Sequence, residues 1–163
     1  MDTFSKLKDS LNSGFSVAIG AERIQSELAK KFPTVLQEKG ATIILDQPTV
    51  DFYPDENRLG LKVYATVDSP DLGQGEGWVT VSGSLRLDKS SNQLYLQNVT
   101  IQRFDIQGLS KDSYNKVRQY TEDELKRLTD GKPIYNLNKH EAVANRIKDI
   151  KVGEDKLQVV LGL

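Results

Sequence analysis

Apolar and polar residues alternate along four stretches in the middle of the chain, which is typical of strands with one buried face. The clearest stretch is 58–68, and the others are 42–53, 78–88 and 93–106. In 58–68 one side carries only apolar residues: Leu59, Leu61, Val63, Ala65 and Val67. Because short polar turns join these stretches, except for one Gly-rich segment, they predict an antiparallel meander.

The side of the strand that carries the apolar residues changes within two of these stretches. One change falls near Pro48, and two fall in 93–106, between Leu96 and Val99 and between Ile101 and Phe104. The two changes in 93–106 imply β-bulges, which bend the strand, and the change near Pro48 indicates either a bulge or an edge position. The pattern predicts a strongly curved sheet.

The longest helical pattern is 110–131. Ser110 suits the N-cap, and Gly131 followed by Pro133 ends the helix. One side carries a narrow stripe at three- and four-residue steps: Tyr114, Val117, Thr121, Leu125 and Leu128. Such a stripe is typical of a helix that lies on a sheet, here along its concave side.

The remaining stretches complete the predicted order of elements. A strand at 15–19 and a helix from 21 to about Lys31, ended by Pro33, precede a turn near Val35. The Gly-rich stretch 69–77 is predicted to be a flexible connection, and 132–137 a short strand. A short helix at 138–148 and a hairpin of 149–152 with 156–161 follow.

The predicted fold class is α+β. A strongly curved antiparallel meander wraps around the long helix in the C-terminal half, with a shorter N-terminal helix and a C-terminal helix–hairpin. Residues 1–14 are predicted to be a tail or linker, and 15–163 a single domain, since 163 residues is below the length at which chains split into domains.

Composition removes several function classes. Lys and Arg number 22 against 23 Asp and Glu, so the basic surface of a nucleic-acid-binding protein is not expected. The chain has no cysteine, which excludes thiol catalysis, disulfides and thiolate metal sites. No apolar run approaches the roughly 20 residues of a membrane span. Residues 1–14 lack the apolar centre of a signal peptide, so either the protein is cytosolic or a targeting segment has been removed.

No catalytic or metal-binding signature is present. The single histidine, His140, is flanked by charged residues and predicted to be a solvated surface residue rather than a base or ligand. The acidic residues fall in turns or on the polar side of the helix, and 69–77 lacks the spacing of a phosphate-binding loop. We therefore expect no enzyme activity, no catalytic residue, no cofactor and no metal. Tyr64 and Trp78 point outward, either to line a pocket or membrane surface or to pack against other elements.

Several strings resemble the YceB-like family of bacterial envelope lipoproteins. They are IGAERIQSELAKKF, LGLKVYATVD, VTVSGSLRLD, LYLQNVTIQRFDI, GKPIYNL and KHEAVANRIKDIKVGEDKLQVVL, and the likeness covers 15–162. That family is similar in fold to the tubular, BPI-like lipid-binding proteins, in which a helix lies in a curved sheet beside an apolar groove. The chain departs from it in two ways: it lacks a signal peptide with a lipid-modified cysteine, and Gly20 stands where a Ser or Thr helix cap is expected.

The resemblance implies a non-enzymatic periplasmic protein that binds a lipid, fatty-acyl or other apolar ligand. It also implies anchorage to the outer or inner membrane through an N-terminal lipid that this chain lacks, and no nucleic-acid partner. The groove candidates are Ile24, Leu28, Leu61, Val63, Val79, Val81, Leu96, Ile101, Val117, Leu125 and Leu128. The same residues form an ordinary core if the groove is collapsed. In that alternative the protein is an envelope scaffold or adaptor that acts through protein contacts.

Overall fold

The computed structural model describes residues 15–140 and 144–162. Strands account for 56% of these residues and helical turns of all types for 26%, so the chain is mainly an antiparallel β protein with two α-helices. The helices are α1 (Ala21–Ala29) and α2 (Lys111–Thr129). The strands are β1 (Phe15–Gly20), β2 (Thr34–Glu38), β3 (Ala41–Tyr53), β4 (Arg58–Ser69), β5 (Gly73–Asp88), β6 (Gln93–Gln107), β7 (Tyr135–Asn136), β8 (Ile147–Val152) and β9 (Lys156–Leu161).

Two antiparallel sheets contain these strands. Six form a meander in the order β2-β3-β4-β5-β6-β7, and three form a small sheet in the order β1-β9-β8. The inner face of the large sheet carries buried residues such as Leu61, Val63 and Val79, and its outer face carries Lys62 and Trp78. Alternation along each strand therefore separates core from surface.

The two bulges predicted in 93–106 are confirmed, and the change of side near Pro48 is also a bulge. The pairing of β3 with β4 shifts between Asp46 and Thr49, beside Pro48. The pairing of β5 with β6 also shifts twice. On β6, one shift lies between Arg103 and Ile101 and the other between Thr100 and Gln97. Each shift inserts a residue and increases the local bend, which accounts for the curved sheet.

The Gly-rich stretch extends β5, so the prediction of a flexible connection there is wrong. Gly73, Gly75 and Gly77 pair with Ser69, Val67 and Ala65 of β4. A Cβ at Gly77 would lie 1.8 Å from the carbonyl oxygen of Asp105, and φ at Gly77 is 157°. Glycine is needed there because β6 approaches β5 too closely for any side chain.

The predicted fold class is wrong in two respects. The sheet does not wrap around α2, because α2 packs mainly against one strand, β6. The predicted helix at 138–148 is also not found: its described residues include two short 3₁₀ turns, Leu137–Lys139 and Ala144–Arg146, and the beginning of β8, while 141–143 lie outside the described residues. Strands β8 and β9 form a hairpin, but β9 also pairs with β1, which makes a second sheet.

The stretch after Pro33 is a strand rather than a turn. Residues Thr34–Glu38 form β2, which pairs in register with Ala41–Leu45 of β3. The predicted tail at 1–14 lies outside the described residues.

One continuous core fills the space above the inner face. Helices α1 and α2 and the small sheet each contribute buried apolar residues to it, including Leu28, Leu125 and Leu157. The small sheet is joined to the large one by a hydrogen bond of 2.9 Å from the Val152 amide to the side-chain oxygen of Asn57. Through this core, α1, α2 and the small sheet all pack against the inner face of the large sheet.

Candidate functional site

All eleven groove candidates lie in this one core. Each is at most 9% exposed, and most are below 4%. They come from α1, from the three neighbouring strands β4, β5 and β6, and from α2: Ile24, Leu28, Leu61, Val63, Val79, Val81, Leu96, Ile101, Val117, Leu125 and Leu128. The structure therefore brings them together, but packed against one another rather than around an open groove.

Helix α1 is attached at the bulge of β3. The side chain of Gln25 donates to the carbonyl of Pro48 and accepts a 2.7 Å hydrogen bond from the Val50 amide. A bulge leaves backbone groups without partners in the sheet, and the side-chain amide of Gln25 forms hydrogen bonds with two of them. No sequence pattern identified Gln25, because its partners belong to a bulge 23 residues away.

Helix α2 is attached to β6 near its first turn. Ser110 caps the helix by accepting a hydrogen bond from the Ser113 amide, as predicted. The Tyr114 hydroxyl donates to the backbone carbonyl of Phe104, and the two rings meet edge to face. These contacts position the apolar stripe of α2 above β6.

The buried side of α2 is unusually polar. Ser113, Thr121, Glu124 and Thr129 are four of its seven buried residues, beside Val117, Leu125 and Leu128. Helix interfaces with a core are normally dominated by apolar residues, since burying a polar group costs free energy unless it is hydrogen-bonded.

Three of these four polar residues have hydrogen-bond partners. Ser113 accepts from the Ser110 hydroxyl, Thr129 donates to the Leu125 carbonyl, and the carboxylate of Glu124 accepts from Arg127. Thr121 differs: it is 0% exposed and its hydroxyl has no partner among the described residues. A buried unpaired hydroxyl weakens the packing of α2 on the sheet.

A cleft opens at the C-terminal end of α2. It has a volume of about 570 Å³ and lies between the bulged part of β6 and the last turn of the helix. One side is lined by Leu96, Gln97, Asn98, Val99 and Thr100, and the other by Lys126, Thr129 and Asp130, so most of the lining is polar. Since Leu96 and Val99 belong to the core, this cleft adjoins the buried candidates directly.

His140 is half-buried and hydrogen-bonded, so the prediction of a solvated residue is wrong. Its Nε2 lies 2.8 Å from the Tyr135 hydroxyl and the two rings stack. Burial, with smaller contributions from Arg23 and Lys139, lowers the pKa of His140 below its usual 6.5. An apolar cleft beside it, lined by Val17, Ile19, Leu137, Ile147 and Val159, has no room for a water molecule.

A charged cluster lies close to this histidine. Glu27 of α1 forms ion pairs with Lys139 and with Lys30. The hydrogen bond from Lys139 lowers the pKa of Glu27 and outweighs the opposing effect of burial. The cluster ties the segment after β7 to α1, which is a structural role.

Tyr64 and Trp78 pack against each other on the outer face. Their ring centroids are 5.0 Å apart, and the Lys62 ammonium lies 4.8 Å from the Trp78 ring. The Tyr64 hydroxyl donates to Glu76, a contact that raises the Tyr64 pKa. These aromatics pair across neighbouring strands.

Metal-binding chemistry finds no support in the part of the chain that the structure describes, where no group of three or more His, Asp or Glu side chains could hold an ion. Across the same residues, neither helix has the length and apolar character needed to cross a bilayer.

A family model for DUF1439, a family of proteins of unknown function, matches residues 19–159. The chain belongs to the DUF1439 family. The match begins in β1 and ends in β9, so both sheets and both helices of the described chain lie within the DUF1439 region. No curated protein matches the chain at a significant level.

Proposed function

We propose that this DUF1439 protein is a non-enzymatic binding protein for a lipid, fatty-acyl or other apolar ligand. The observation that carries the proposal is the cleft between β6 and the C-terminal end of α2. Two other open surface clefts have similar volumes, about 530 and about 720 Å³, and this one is distinguished from them by Leu96 and Val99, which connect it to the core. The ligand enters there and lies between α2 and the inner face, in contact with Leu96, Val117 and Leu125.

The polar side of α2 supports a cover that can move. When a helix with a mainly apolar buried surface leaves a sheet, a large favourable free energy of burial is lost. Displacement of α2 costs less, because the Thr121 hydroxyl then gains a hydrogen bond to water. Displacement exposes apolar residues of β6, and an acyl chain covers them again. Burial is worth about 0.8 kcal/mol per CH₂, so a sixteen-carbon chain contributes on the order of 10 kcal/mol before the cost of ordering it.

The resemblance to YceB-like envelope lipoproteins supports the location that we propose. The full-length protein resides in the periplasm, tethered to a membrane by an N-terminal lipid. No nucleic acid, metal or cofactor takes part.

The packed core favours a second candidate function. All eleven groove residues belong to one buried cluster, and each is at most 9% exposed. A scaffold or adaptor with a filled core acts through its surface and has no need of a cavity.

Uptake of a fluorescent sixteen-carbon fatty acid separates the two functions. Under the first, Leu125→Glu reduces uptake more than it reduces the free energy of unfolding. Tyr114→Phe loosens α2 and speeds uptake, whereas Thr121→Val tightens α2 and slows it. Equal uptake rates in the wild type and in the two conservative variants would contradict a moving cover, even if Leu125→Glu fails to fold.

A further inference from the structure

The charges around the cleft at the C-terminal end of α2 do not balance. Lys126 is the one cation in the described lining, and its ammonium already lies 3.1 Å from the carboxylate of Glu122. Asp130 is exposed in the same lining and has no ion-pair partner among the described residues. The cleft therefore has an unpaired carboxylate at its rim, while its cation is neutralised.

The end of the helix makes the potential in the cleft more negative. The last turn of α2 ends at Thr129, and its backbone carbonyls carry the negative end of the helix dipole. Two other cations contact the same segments without lining the cleft: Arg127 is paired with Glu124, and Arg58 donates to the backbone carbonyl of Asn98. An anionic group in the cleft is therefore repelled.

Uncharged polar groups form the β6 side of the rim. Gln97, Asn98 and Thr100 are exposed there, beside the buried Leu96 and Val99. The side-chain amides of Gln97 and Asn98 have no hydrogen-bond partner in the described part of the chain. An amide both donates and accepts hydrogen bonds, so it complements a hydroxyl group, whereas a carboxylate can only accept.

We propose that this cleft selects an acyl ligand whose head group is neutral and carries hydroxyls, as in a monoglyceride, over a free fatty acid. The acyl chain lies against Leu96 and Val99, and the head group lies at the rim that Gln97, Asn98 and Asp130 line. Its hydroxyls donate to the Asp130 carboxylate and exchange hydrogen bonds with the two amides. The inference rests on the proposed function and adds the class of ligand to it.

Repulsion of the carboxylate sets the size of the preference. A fatty acid is ionised at neutral pH, so its head group meets both Asp130 and the end of the helix dipole. Exposed charges interact weakly, and salt screens them. We expect a monoglyceride to bind about threefold to tenfold more tightly than the fatty acid of the same length at low ionic strength.

Displacement of the bound fluorescent fatty acid by dodecanoate and by monododecanoylglycerol tests this preference, because the two competitors share one acyl chain. The measurement uses the full chain at low salt, below the concentration at which either lipid forms micelles. The monoglyceride should displace the probe at a concentration about threefold to tenfold lower than dodecanoate. This comparison needs only the wild type, so it does not depend on the folding of a variant.

Asp130→Asn should narrow the difference between the two lipids by about threefold, because dodecanoate then no longer meets the carboxylate. Asp123→Asn is the matched control. Asp123 is an exposed acid of the same helix that does not line the cleft, so the substitution makes the same change in net charge and should leave the ratio between the two lipids as it is in the wild type.

Three results would overturn the inference. One is a bound probe that dodecanoate displaces as well as the monoglyceride does, or better, which would leave the proposed function intact. Another is an equal narrowing in Asp130→Asn and Asp123→Asn, which would assign the preference to the charge of the whole protein. The third is stronger displacement by dodecylamine than by the monoglyceride, which would identify a cationic head group. If the wild type binds neither the probe nor the monoglyceride, the proposed function itself fails, and this inference fails with it.

Discussion

The Tyr114 hydroxyl donates a hydrogen bond to the Phe104 carbonyl at 2.5 Å, and the centroids of the two rings are 5.0 Å apart. This contact joins the first turns of α2 to the part of β6 that precedes it in the chain. In the proposed binding function, this contact stays in place while the C-terminal end of α2 leaves the sheet.

Tyr114→Phe keeps the ring contact and removes the hydrogen bond. The expected loss is about 1 kcal/mol in the free energy of unfolding, the usual worth of one such bond. Urea denaturation measures it. Tyr120→Phe is the control, since Tyr120 is a half-buried tyrosine of the same helix whose hydroxyl has no hydrogen bond to another described residue. An equal loss in both variants would show that the loss does not come from the hydrogen bond between the Tyr114 hydroxyl and the Phe104 carbonyl.

Thr121→Val should stabilise the protein. The substitution keeps the branched shape and removes a buried hydroxyl that has no partner, so we expect a gain of about 1 kcal/mol and a rise in Tm of roughly 2–4 °C. Calorimetry of the wild type and the variant measures the rise. Thr129→Val is the matched control: Thr129 is also buried in α2, but its hydroxyl donates to the Leu125 carbonyl, so its removal should not raise Tm. A rise of the same size in both would refute the explanation.

Sequence patterns identified these helices and the bulges, but not how they pack. The alternation of Leu96, Val99, Ile101 and Phe104 predicted both bulges of β6, because a buried face must stay buried on either side of an inserted residue. The same reasoning failed at Gly73–Gly77, since glycines carry no hydrophobic signal and their pairing is decided by the close approach of β6. The reasoning also failed at β2. Five residues are too few to show a clear alternation, and the preceding Pro33 favoured a turn.

The candidate site shows a similar limit. Periodicity selected eleven residues that the fold brings into one core. It could not distinguish an open groove from a closed one, because both require the same apolar residues. Gln25 and the unpaired hydroxyl of Thr121 depend on contacts between distant segments, which local patterns do not contain.

Gly20→Ser should add a helix cap that α1 lacks. Gly20 has φ −69° and ψ 159°, close to the −65° and 165° of Ser110, which caps α2 with its side chain. A Cβ at Gly20 meets nothing within 4 Å. We expect a gain of a few tenths to about 1 kcal/mol in the free energy of unfolding, measured by urea denaturation. Ser110→Ala, as the reciprocal change, should lose about 1 kcal/mol. Destabilisation by Gly20→Ser would mean that α1 does not begin as described.

His140 should make stability fall as the pH is lowered. Burial lowers its pKa in the folded state below 6.5, so the unfolded chain takes up a proton first. The contribution of this residue is complete above about pH 6.5 and decreases as the pH falls towards the folded-state pKa. The groups facing it are Tyr135, Arg23 and Lys139, and the two cations act in the same direction as burial.

Urea denaturation between about pH 8 and about pH 5 measures this effect. His140→Gln should remove the part of the slope just below pH 6.5 and leave the acidic part, which belongs to carboxylates. Because His140 is the single histidine of the chain, its ring proton can also be followed directly by NMR. A folded-state pKa at or above 6.5 would contradict the buried, cation-flanked position.

Native mass spectrometry of the protein purified from its own cell envelope tests the ligand-binding account most directly. If α2 covers an acyl chain, we expect one bound lipid or fatty acid per chain, retained at low activation energy and lost at high energy. The expected bound fraction is lower in Leu125→Glu than in wild type. A ligand-free mass for every chain, together with no uptake of the fluorescent fatty acid, would contradict it and leave the filled-core scaffold as the function of this protein.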